Sequence, residues 1–322
     1  MLTIPYLPRH GGIETVVDLL STALVARGHN VRIATTQLGG ISRPFPILRC
    51  PSAWALVRCV WWADCIVLHG ATLRLGWPLL LTFKRAWLVH HIWPREDLGL
   101  VHRLARRLLY WRCRHLAVSR ALASTVGTQS TVVPNPYDDR QFRRLSGVHR
   151  SRDIVFLGRL VYLKGVDDLI DALTILKDRD VRPTTTIIGD GPERPRLDAK
   201  VQAAGLSEYV TFAGALPTNE VVRELNRHRV QVVPSRYKEP FGVVALEGVA
   251  CGCIVVGSAG GGLPEAIGAC GETYENGNVQ SLANILQRLL HRIPPAAEVV
   301  ERHLAPHRPQ TVAEAYLRQV AG

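Results

Sequence analysis

The sequence predicts an α/β protein of two domains, each with a parallel sheet. Apolar runs of strand length alternate with amphipathic segments of helical length along the chain, a pattern typical of strands joined by crossover helices. With 322 residues, of which 47% are hydrophobic and 20% charged, the chain is long enough for two cores. Residues 138–152 are polar, basic and without periodicity, so we expect the domain boundary there.

The first half is predicted to contain one long helix followed by four strands. The helix covers Ile13–Arg27, because its apolar residues recur at helical spacing and Gly28 is a suitable C-cap. Apolar runs that fit strands follow at Asn30–Thr36, Cys65–His69, Ala86–His91 and His115–Ser119.

The second half shows the same alternation. Strands are expected at Ile154–Gly158, Thr184–Gly189, Val210–Ala213, Val230–Pro234 and Ile254–Gly257. Helices are expected between them near residues 165–177, 193–204, 219–228 and 242–251. A last helix is expected at Thr311–Val320. The predicted domains are therefore 1–145 and 146–305, followed by a C-terminal helical segment at 306–322.

Net charge, cysteine spacing and hydropathy limit the partners and the compartment. The formal net charge is +12, and only five of the 39 basic residues are lysine, which favours an anionic, phosphate-bearing partner. We expect no nucleic-acid partner, because no nucleic-acid-binding motif is present. The seven cysteines form no Cys-x-x-Cys pair, which indicates reduced thiols. No segment resembles a signal peptide or reaches membrane-spanning length. These features predict a cytoplasmic protein.

Residues 235–252 contain two carboxylates in a pattern typical of a sugar-nucleotide site. Glu239 follows the strand Val230–Pro234, and the loops after parallel strands are where ligands bind. Glu247 lies about one and a half turns into the next helix, within reach of the same place. One carboxylate is suited to the hydroxyls of a sugar and the other to those of a ribose.

Two features near these carboxylates are suited to a phosphate. Phe241 and Gly242 end a Pro-Phe-Gly turn that opens the helix, where glycine permits close approach and free N–H groups favour an anion. Arg159 and Lys164 follow the strand Ile154–Gly158. These two cations are placed to neutralise a diphosphate leaving group, which a reaction without a metal requires. The alternative for the pair is a solvated basic turn.

Four motifs follow one another along the chain. They are Pro-Arg-His-Gly-Gly-Ile-Glu at 8–14, Gly-Arg-Leu-Val-Tyr-Leu-Lys-Gly at 158–165, Glu239 with Glu247, and Gly-Gly-Gly-Leu-Pro-Glu at 260–265. Together they closely resemble the motifs of retaining glycosyltransferases of family 4, over nearly the whole chain and most strongly over residues 150–275. The resemblance implies the GT-B fold, in which two Rossmann-like domains face a cleft and a C-terminal helix crosses back to the first domain.

The resemblance also implies roles for the charged residues. The first domain would be the acceptor side, and the second would bind the nucleotide sugar. Arg159 and Lys164 would hold the diphosphate and support catalysis. Glu239 would hold the transferred sugar, and Glu247 the ribose.

Three glycines and two histidines complete the implied site. Gly11 and Gly12 would contact the donor through backbone N–H groups, although such a pair before a helix is by itself usually a turn. Gly191 lies in a loop that resembles the one beside the nucleotide base and that also fits a helix start. His90 or His91 would contact the transferred sugar, or the pair is simply a satisfied strand end. Strand alternation points the two to opposite faces and leaves the choice open. No metal-ligand set is recognisable.

The chain departs from the family pattern at two places. Pro136 stands where the family's Pro-Asn-Gly turn has glycine, and proline cannot adopt a positive φ. Only Met1–Ile4 precede the first glycine-rich loop, where the family has a full strand. We therefore expect either a very short first strand or a start upstream of Met1, and we adopt the second as our hypothesis.

The segment Leu100–His115 is predicted to be a basic amphipathic helix. At about 100° per residue, one stripe consists of Arg103, Arg106, Tyr110 and Arg114, and another of Leu104, Leu108 and Trp111. Such a helix with an interfacial tryptophan is suited to an anionic lipid surface. The alternative is an ordinary helix whose apolar stripe packs on the sheet. We expect peripheral attachment to the inner face of a membrane and a lipid-linked acceptor.

The sequence therefore predicts a retaining, metal-independent hexosyltransferase of cell-surface polysaccharide or glycolipid synthesis. Its co-substrate would be a UDP- or GDP-linked sugar, its acceptor a lipid-linked molecule or a glycan, and it would need no cofactor. By the resemblance, the leaving phosphate takes the acceptor proton on the same face of the sugar. Two alternatives remain, a sugar-nucleotide epimerase of the same fold and an inactive binding subunit.

Overall fold

The computed structural model describes residues 1–8, 11–93, 100–126 and 129–321, without the side chains of residues 100–102, 105, 106 and 321. The chain forms two compact units. The first unit consists of Met1–Tyr137 together with His307–Gly322, and the second of Asp138–Pro306. The chain thus leaves the first unit after Tyr137 and returns to it at His307.

The described residues form two separate sheets. The strands are β1 (Leu2–Thr3), β2 (Ile33–Thr35), β3 (Ile47–Arg49), β4 (Cys65–His69), β5 (Arg85–His90), β6 (Arg114–Ala117), β7 (Ser130–Val132), β8 (Arg152–Leu157), β9 (Thr185–Ile188), β10 (Val210–Gly214), β11 (His228–Val233), β12 (Ile254–Ser258) and β13 (Gly271–Tyr274). The order is β3-β2-β1-β4-β5-β6-β7 in the first unit and β10-β9-β8-β11-β12-β13 in the second. Neighbouring strands pair in parallel throughout both sheets.

Helices form most of the connections between these strands, as is usual for parallel pairs; β2 and β3 are joined by a loop without a helix. The helices are α1 (Gly12–Ala26), α2 (Ala53–Trp62), α3 (Leu73–Gly76), α4 (Leu100–Arg112), α5 (Arg120–Ala123), α6 (Val166–Asp178), α7 (Arg194–Ala203), α8 (Thr218–Arg227), α9 (Val243–Ala250), α10 (Leu263–Ile267), α11 (Val279–Leu289), α12 (Ala297–Leu304) and α13 (Pro309–Ala321). Short 3-10 turns lie at Trp77–Leu81, Tyr162–Lys164, Gly268–Cys270 and Ala305–His307.

The C-terminal helix α13 packs against α1 in the first unit. Val16 and Leu20 of α1 are buried, as their helical spacing predicts. Arg27, which caps α1, forms an ion pair with Glu314 and donates from Nε to the side-chain oxygen of Gln310 at 3.1 Å. The predicted return of the C-terminal helix to the first domain is confirmed.

The turn that contains Pro136 is fixed by the returning chain. The backbone N–H of Tyr137 donates to the carbonyl oxygen of His307 at 3.2 Å. Nδ1 of the His307 ring lies 3.2 Å from the carbonyl oxygen of Asn135. The segment therefore makes its hydrogen bonds on both sides of Pro136, which has no N–H to donate.

Both sheets have the same strand order relative to their own first strand. If the first strand of each unit is counted as one, both sheets contain the order 3-2-1-4-5-6, which is that of doubly wound nucleotide-binding folds. In such sheets the connections reverse between the first and fourth strands, and ligands bind there beyond the carboxyl ends. These places lie between β1 and β4 in the first unit and between β8 and β11 in the second.

The predicted α/β architecture with two parallel sheets is confirmed, and the missed strands share one property. The strand Cys65–His69 has the predicted bounds, and the helix expected near residues 165–177 is α6. The missed strands β3, β7 and β13 all lie at sheet edges. An edge strand has one neighbour only, and these have three or four residues each, so they lack the apolar run of a central strand.

Candidate functional site

The second unit brings a cation and a carboxylate together where its strand connections reverse. Lys164 lies in the turn after β8, and Glu239 lies in the loop after β11, 75 residues later. Nζ of Lys164 donates to Oε1 of Glu239 at 2.7 Å. The lysine side chain is 23% exposed and that of Glu239 only 7%. The pair therefore lies at the rim of the site, with the carboxylate inside and the ammonium open to a ligand.

A glycine makes this approach of the two segments possible. Gly165 follows Lys164 with φ +68°, a conformation that glycine adopts without strain. A Cβ atom at this position would lie 1.8 Å from the carbonyl oxygen of Pro234, at the end of β11. The backbone N–H of Arg236 then donates to the carbonyl oxygen of Leu163 at 2.9 Å. The two loops are thus joined through their backbones beside the ion pair.

The carboxylate of Glu239 accepts hydrogen bonds from two hydroxyl groups as well. Oγ of Ser235 donates to Oε1 at 2.6 Å, and the phenol of Tyr237 donates to Oε2 at 2.5 Å. Burial and the negative charge of Glu239 raise the pKa of Tyr237, so the phenol keeps its proton and remains a donor. Lys164 also lies over the Tyr237 ring, 5.3 Å from its centroid. The sequence predicted Glu239 and Lys164 but missed both hydroxyl groups.

The glycine-rich motif at 260–265 holds the backbone of Glu239. The N–H of Gly262 donates to the carbonyl oxygen of Glu239 at 2.7 Å. A Cβ atom at Gly261, where φ is +71°, would lie 2.2 Å from that oxygen. Glu265 lies in the first turn of α10. These glycines therefore fix the position of Glu239, which is a different task from direct contact with a nucleotide.

Arg159 contributes an exposed positive charge at the same place. It follows β8 and is exposed, and within the described part of the chain its guanidinium makes no hydrogen bond or ion pair. Its charge lowers the pKa of Tyr237, against the larger effects that raise it. A guanidinium held near a hydroxyl–carboxylate cluster without a carboxylate of its own is available to an anionic ligand.

A second ion pair supports the cluster and was missed by sequence reasoning. The guanidinium of Arg236 donates to the buried carboxylate of Asp168 on α6, at 2.5 Å from NH2 and 3.1 Å from Nε. It also lies over the ring of Tyr162, 4.5 Å from the centroid. The side-chain amide of Asn276 donates to the carbonyl oxygen of Arg236 at 2.9 Å. The loop of Glu239 is therefore tied to α6, which begins next to Lys164.

Glu247 lies on α9 and is electrostatically unlike Glu239. Its burial, and the negative charge of Asp138 nearby, raise its pKa to about 7. Among the described residues its side chain makes no hydrogen bond or ion pair, and in particular none with Lys164 or Glu239. Phe241 is buried, and Gly242 begins α9 with φ +105°. The predicted ribose contact of Glu247 stays a prediction.

Gly191 packs against the turn that contains Arg159. A Cβ atom at Gly191 would lie 2.3 Å from the carbonyl oxygen of Leu160. The N–H of Leu160 donates to the carbonyl oxygen of Asp190 at 2.9 Å, and the N–H of Glu193 donates to the carbonyl oxygen of Leu160 at 3.1 Å. The loop after β9 is thus fixed beside the loop after β8.

In the first unit, the predicted glycine pair begins α1 directly beyond β1. Gly11 is the N-cap of α1 and Gly12 its first residue. A Cβ atom at Gly11 would lie 2.5 Å from the carboxylate of Glu14, whereas one at Gly12 would meet nothing within 4 Å. The open side of Gly12 is consistent with a ligand near this helix start. Arg9 and His10, part of the motif at 8–14, lie outside the described residues.

The two predicted histidines form separate pairs on either side of β5. Nε2 of His90 lies 3.0 Å from Nδ1 of His115 on β6, and Nε2 of His91 lies 2.8 Å from Nδ1 of His69 on β4. The rings of each pair are stacked, with centroids 5.3 Å and 5.1 Å apart. All four rings are buried. The predicted opposite orientation of His90 and His91 is therefore observed.

Burial keeps these imidazoles neutral. Loss of solvation, and then the neighbouring histidine, lower the pKa of His90 to about 4 and that of His91 to about 3. The pKa of His69 lies well below its usual value for the same reasons. Nδ1 of His91 and Nε2 of His69 have no hydrogen-bond partner among the described residues. This second pair, where β4 and β5 end, therefore has one donor and one acceptor nitrogen without a partner among the described residues.

Three kinds of feature are absent from the part of the chain that the structure describes. No group of three histidine, cysteine, aspartate or glutamate side chains is arranged to hold a metal ion there. No described helix is long and apolar enough to cross a membrane. The seven cysteines, all of which are described, form no disulfide with one another.

Comparison with known proteins identifies similar sequences over both units. The family model described as glycosyl transferases group 1 matches residues 138–302. The GDP-mannose-dependent alpha-(1-6)-phosphatidylinositol monomannoside mannosyltransferase of Mycolicibacterium smegmatis is 31% identical, over 95% of this chain and 93% of that protein. The glycogen synthase of Mycobacterium tuberculosis is 36% identical, over 45% of this chain and 35% of its own length. The chain therefore spans about a third of the length of such curated relatives.

Solved structures with low sequence identity share the fold. HepE of Anabaena in complex with UDP has a TM-score of 0.80 and 18% identity, over 99% of both chains. Sucrose-phosphate synthase of Thermosynechococcus elongatus has a TM-score of 0.75 and 20% identity, over 99% of this chain and 96% of that one. The expectation of a GT-B fold is thereby confirmed.

Proposed function

This chain belongs to the glycosyl transferases group 1, and from that premise we propose that it transfers a hexose-type sugar from a nucleoside diphosphate to an acceptor. The observation that carries the proposal is the cluster of Lys164, Glu239 and Arg159 where the strand connections of the second unit reverse. Such a cluster has a cation for a diphosphate and a buried, ionised acceptor for sugar hydroxyls. We further propose that the enzyme is a retaining one, of family 4.

In the proposed reaction the chain acts through charge and position. The bond between the anomeric carbon and the diphosphate oxygen breaks, and Arg159 and Lys164 stabilise the negative charge that develops on the leaving group. A hydroxyl oxygen of the acceptor forms the new bond on the same face of the sugar. Its proton passes to the leaving phosphate, so that no protein nucleophile is required and the nucleoside diphosphate is released.

Glu239 is proposed to hold the sugar, because its carboxylate is already oriented. Ser235, Tyr237 and Lys164 occupy its two oxygens from the protein side, and Gly262 fixes its backbone. A sugar hydroxyl that donates to Glu239 would therefore meet an acceptor of fixed direction, which limits the ordering that binding requires. Glu247 is proposed to accept from the ribose, and Gly191 to lie beside the base.

The first unit is proposed to serve the transferred sugar and the acceptor. Gly12 has an open side at the start of α1, and His91 with His69 has two nitrogens without partners among the described residues. Neutral imidazoles are suited to hydroxyl groups, to which they donate and from which they accept. We favour His91 over His90 for the sugar contact, because Nδ1 of His91 has no hydrogen-bond partner among the described residues.

Two similar proteins guide the choice of donor and acceptor. The Mycolicibacterium smegmatis relative is named for GDP-mannose and a phosphatidylinositol mannoside, and HepE of Anabaena was solved with UDP. We therefore propose a UDP- or GDP-linked sugar without a further cofactor, and a lipid-linked or glycan acceptor of polysaccharide or glycolipid synthesis. The proposed location is the cytoplasmic face of a membrane, reached by peripheral attachment.

The test is a transfer assay with purified protein, UDP- and GDP-linked hexoses and a lipid extract. We expect acceptor-dependent release of one nucleoside diphosphate and, by NMR, a product with the anomeric configuration of the donor. An inverted product would remove the retaining mechanism. Isomerised donor without an acceptor would support the epimerase, and absence of thermal stabilisation by both UDP and GDP would support an inactive subunit.

A further inference from the structure

One surface of the first unit exposes large apolar side chains from three adjacent elements. We define this aromatic surface by Trp61 of α2, Leu81 and Phe83 at and after the 3-10 turn, and Leu104, Leu108 and Trp111 of α4. Phe83 is fully exposed, Trp111 is 85% exposed, and Trp61 and Leu81 are each 65% exposed. The 3-10 turn packs against both α2 and α4, so these side chains belong to one neighbourhood.

The alternative in which α4 packs on the sheet by its apolar stripe is not observed. The structure ends α4 at Arg112, and the stripe of Leu104, Leu108 and Trp111 is exposed rather than packed on the sheet. The residues of this segment that are buried in the core are instead Leu109 and Cys113. Arg106 of the predicted basic stripe lies outside the described side chains, whereas Arg103 and Arg107 are exposed. The exposed stripe therefore has no packing role within the described residues.

The loop that presents Phe83 is fixed by its neighbours. The guanidinium of Arg112, on α4, donates from NH2 to the carbonyl oxygen of Thr82 at 2.7 Å and to that of Lys84 at 2.5 Å. The ammonium of Lys84 donates to the carbonyl oxygens of Trp61 and of Ala63, the latter at 2.5 Å. Phe83 is thus held between the ends of α2 and α4. A side chain that is exposed on a fixed loop is available to a partner at little cost in ordering.

The charge around the aromatic surface decides which partner fits it. Residues 53–118 contain three acidic side chains, which are Asp64, Glu96 and Asp97, and ten basic ones, which are Arg58, Arg74, Lys84, Arg85, Arg95, Arg103, Arg106, Arg107, Arg112 and Arg114. An apolar patch with tryptophan inside a basic field is typical of proteins that lie in the interface of an anionic bilayer. A second copy of the chain would bring the same basic field against itself, which opposes association.

We propose that the aromatic surface inserts into the interfacial region of an anionic lipid bilayer, with Leu81 and Phe83 as the inserted side chains and Arg103 and Arg107 on the lipid headgroups. The inference deepens the proposed peripheral attachment and rests on the proposed function only for the lipid-linked acceptor. It extends the predicted attachment from α4 alone to a composite surface with α2 and the 3-10 turn.

The test is co-sedimentation with vesicles of phosphatidylcholine alone and of phosphatidylcholine with phosphatidylglycerol. We expect binding to the anionic vesicles only, weakened by salt. Leu81→Ser combined with Phe83→Ser should lower the partition coefficient at least about tenfold, since each large apolar side chain is worth on the order of tenfold. Arg103→Gln combined with Arg107→Gln should reduce binding and the salt dependence together.

Matched controls come from the second unit. Ile293 is 85% exposed, and Ile293→Ser should leave binding unchanged, as should Arg223→Gln on α8. Circular dichroism confirms that each variant is folded. Wild-type binding by the Leu81 and Phe83 variant, or no binding of the natural protein to either vesicle, overturns the proposal.

Sedimentation velocity tests whether a second copy of the chain, instead of a bilayer, binds the aromatic surface. A dimer that the Leu81 and Phe83 variant abolishes, without vesicle binding, assigns the surface to a second copy and also overturns the proposal. The vesicle assay needs no turnover. It therefore fails or succeeds independently of the transfer assay.

Discussion

The two units share a strand order and differ in the charge that they place at the reversal point. Between β8 and β11 the second unit places Lys164, Glu239 and Arg159, all suited to an ionic ligand. At the corresponding edge the first unit places a glycine pair after β1 and the neutral pair of His69 and His91 where β4 and β5 end. One topology therefore supports two chemistries. In the proposed function, the same edge of a parallel sheet would serve a diphosphate in one unit and hydroxyl groups in the other.

The buried polar groups of the two units differ in the partners that they have. In the second unit, both oxygens of the buried Glu239 carboxylate accept hydrogen bonds from protein donors. In the first unit, the buried imidazoles have only each other, and loss of solvation lowers their pKa values. Hydrogen-bond donors thus surround the buried carboxylate of the second unit, whereas burial without such partners lowers the pKa values of the imidazoles in the first.

The largest effect is expected from the charged site of the second unit. Glu239→Ala and Lys164→Ala should each lower turnover by about 10²–10³-fold, because each removes a group that is proposed to stabilise the donor or its leaving group. The transfer assay measures the loss. Circular dichroism and the melting temperature should show a retained fold.

Lys200→Ala is the matched control for Lys164→Ala. Lys200 also pairs with a carboxylate, that of Asp171, at 2.7 Å in the same unit, but it lies on α7 away from the reversal point. Its variant should keep natural turnover. Unchanged activity of the Glu239 or Lys164 variant would remove the proposed mechanism and with it the functional contrast between the units.

The next effect tests the backbone that builds the charged site. Gly165→Ala should lower the free energy of unfolding by about 3 kcal/mol, from a strained φ and a clash with the carbonyl of Pro234. Gly277→Ala has a similar φ, +80°, and open space around its Cβ position, so about 1 kcal/mol is expected from strain alone. Urea unfolding measures both. Equal effects would mean that the close approach at Gly165 is relaxed at little cost.

Much of the charged site could be predicted from the sequence, because topology fixes where strands end. Glu239 and Lys164 each follow an apolar run, and parallel strands bring their carboxyl ends to one edge. The choice of β8 and β11 as neighbours, which makes the ion pair, required the strand order. The partners Ser235 and Tyr237 are ordinary residues of a loop, and only the loop conformation brings their hydroxyl groups to the carboxylate.

The pair of His69 and His91 was less predictable, because it too depends on how the strands are ordered and aligned. His69 ends the predicted strand Cys65–His69, and this position was the available signal. Its pairing with His91 depends on the register of β4 against β5, in which His69 pairs with Val89. For α4 the sequence left two alternatives, an apolar stripe on a lipid surface and an apolar stripe packed on the sheet, and the structure shows that the stripe is exposed. Spacing defines a stripe, but the neighbouring elements decide whether the stripe is covered.

A third prediction concerns the loss of stability that the buried histidines of the first unit cause as the pH falls. The histidines of the unfolded chain bind protons near pH 6.5, whereas the folded pKa values are about 4 for His90 and about 3 for His91. Stability is therefore lost as the pH falls from 6.5 toward 4, by at most about 1.4 kcal/mol per pH unit for each histidine. Melting temperatures between pH 7.5 and 5 should show a flatter dependence for His91→Gln than for the natural chain.

His291→Gln provides the control, because His291 is exposed in the second unit. Because its side chain is solvated in the folded and in the unfolded chain, this variant should retain the natural pH dependence. A variant of His91 with the same steepness as the natural chain would show that its imidazole is protonated in the folded state. The contrast in charge between the two units would then fail.

The smallest effect is expected from Glu247, a carboxylate of the second unit. As with the histidines, burial shifts its pKa in the direction that favours the neutral form. Burial raises the pKa of Glu247 to about 7, so it ionises as the pH rises from 6 to 8. An ionised carboxylate accepts ribose hydroxyls more strongly. Affinity for the nucleoside diphosphate should therefore rise a few-fold over this range in the natural chain and not in Glu247→Gln. Because calorimetry compares the two proteins with the same ligand, titration of the ligand phosphates cancels.

The melting temperature of Glu247→Gln is an independent test of the raised pKa of Glu247. The unfolded carboxyl ionises near pH 4.5, so between pH 4.5 and 7 the folded state binds more protons, and the natural chain loses stability as the pH rises. Glutamine has no charge to bury, and the variant should melt higher than the natural chain above pH 7. A lower melting temperature at pH 8 would mean that Glu247 is ionised and paired like Glu239. The second unit would then be charged throughout its site, which would sharpen the difference from the histidines of the first.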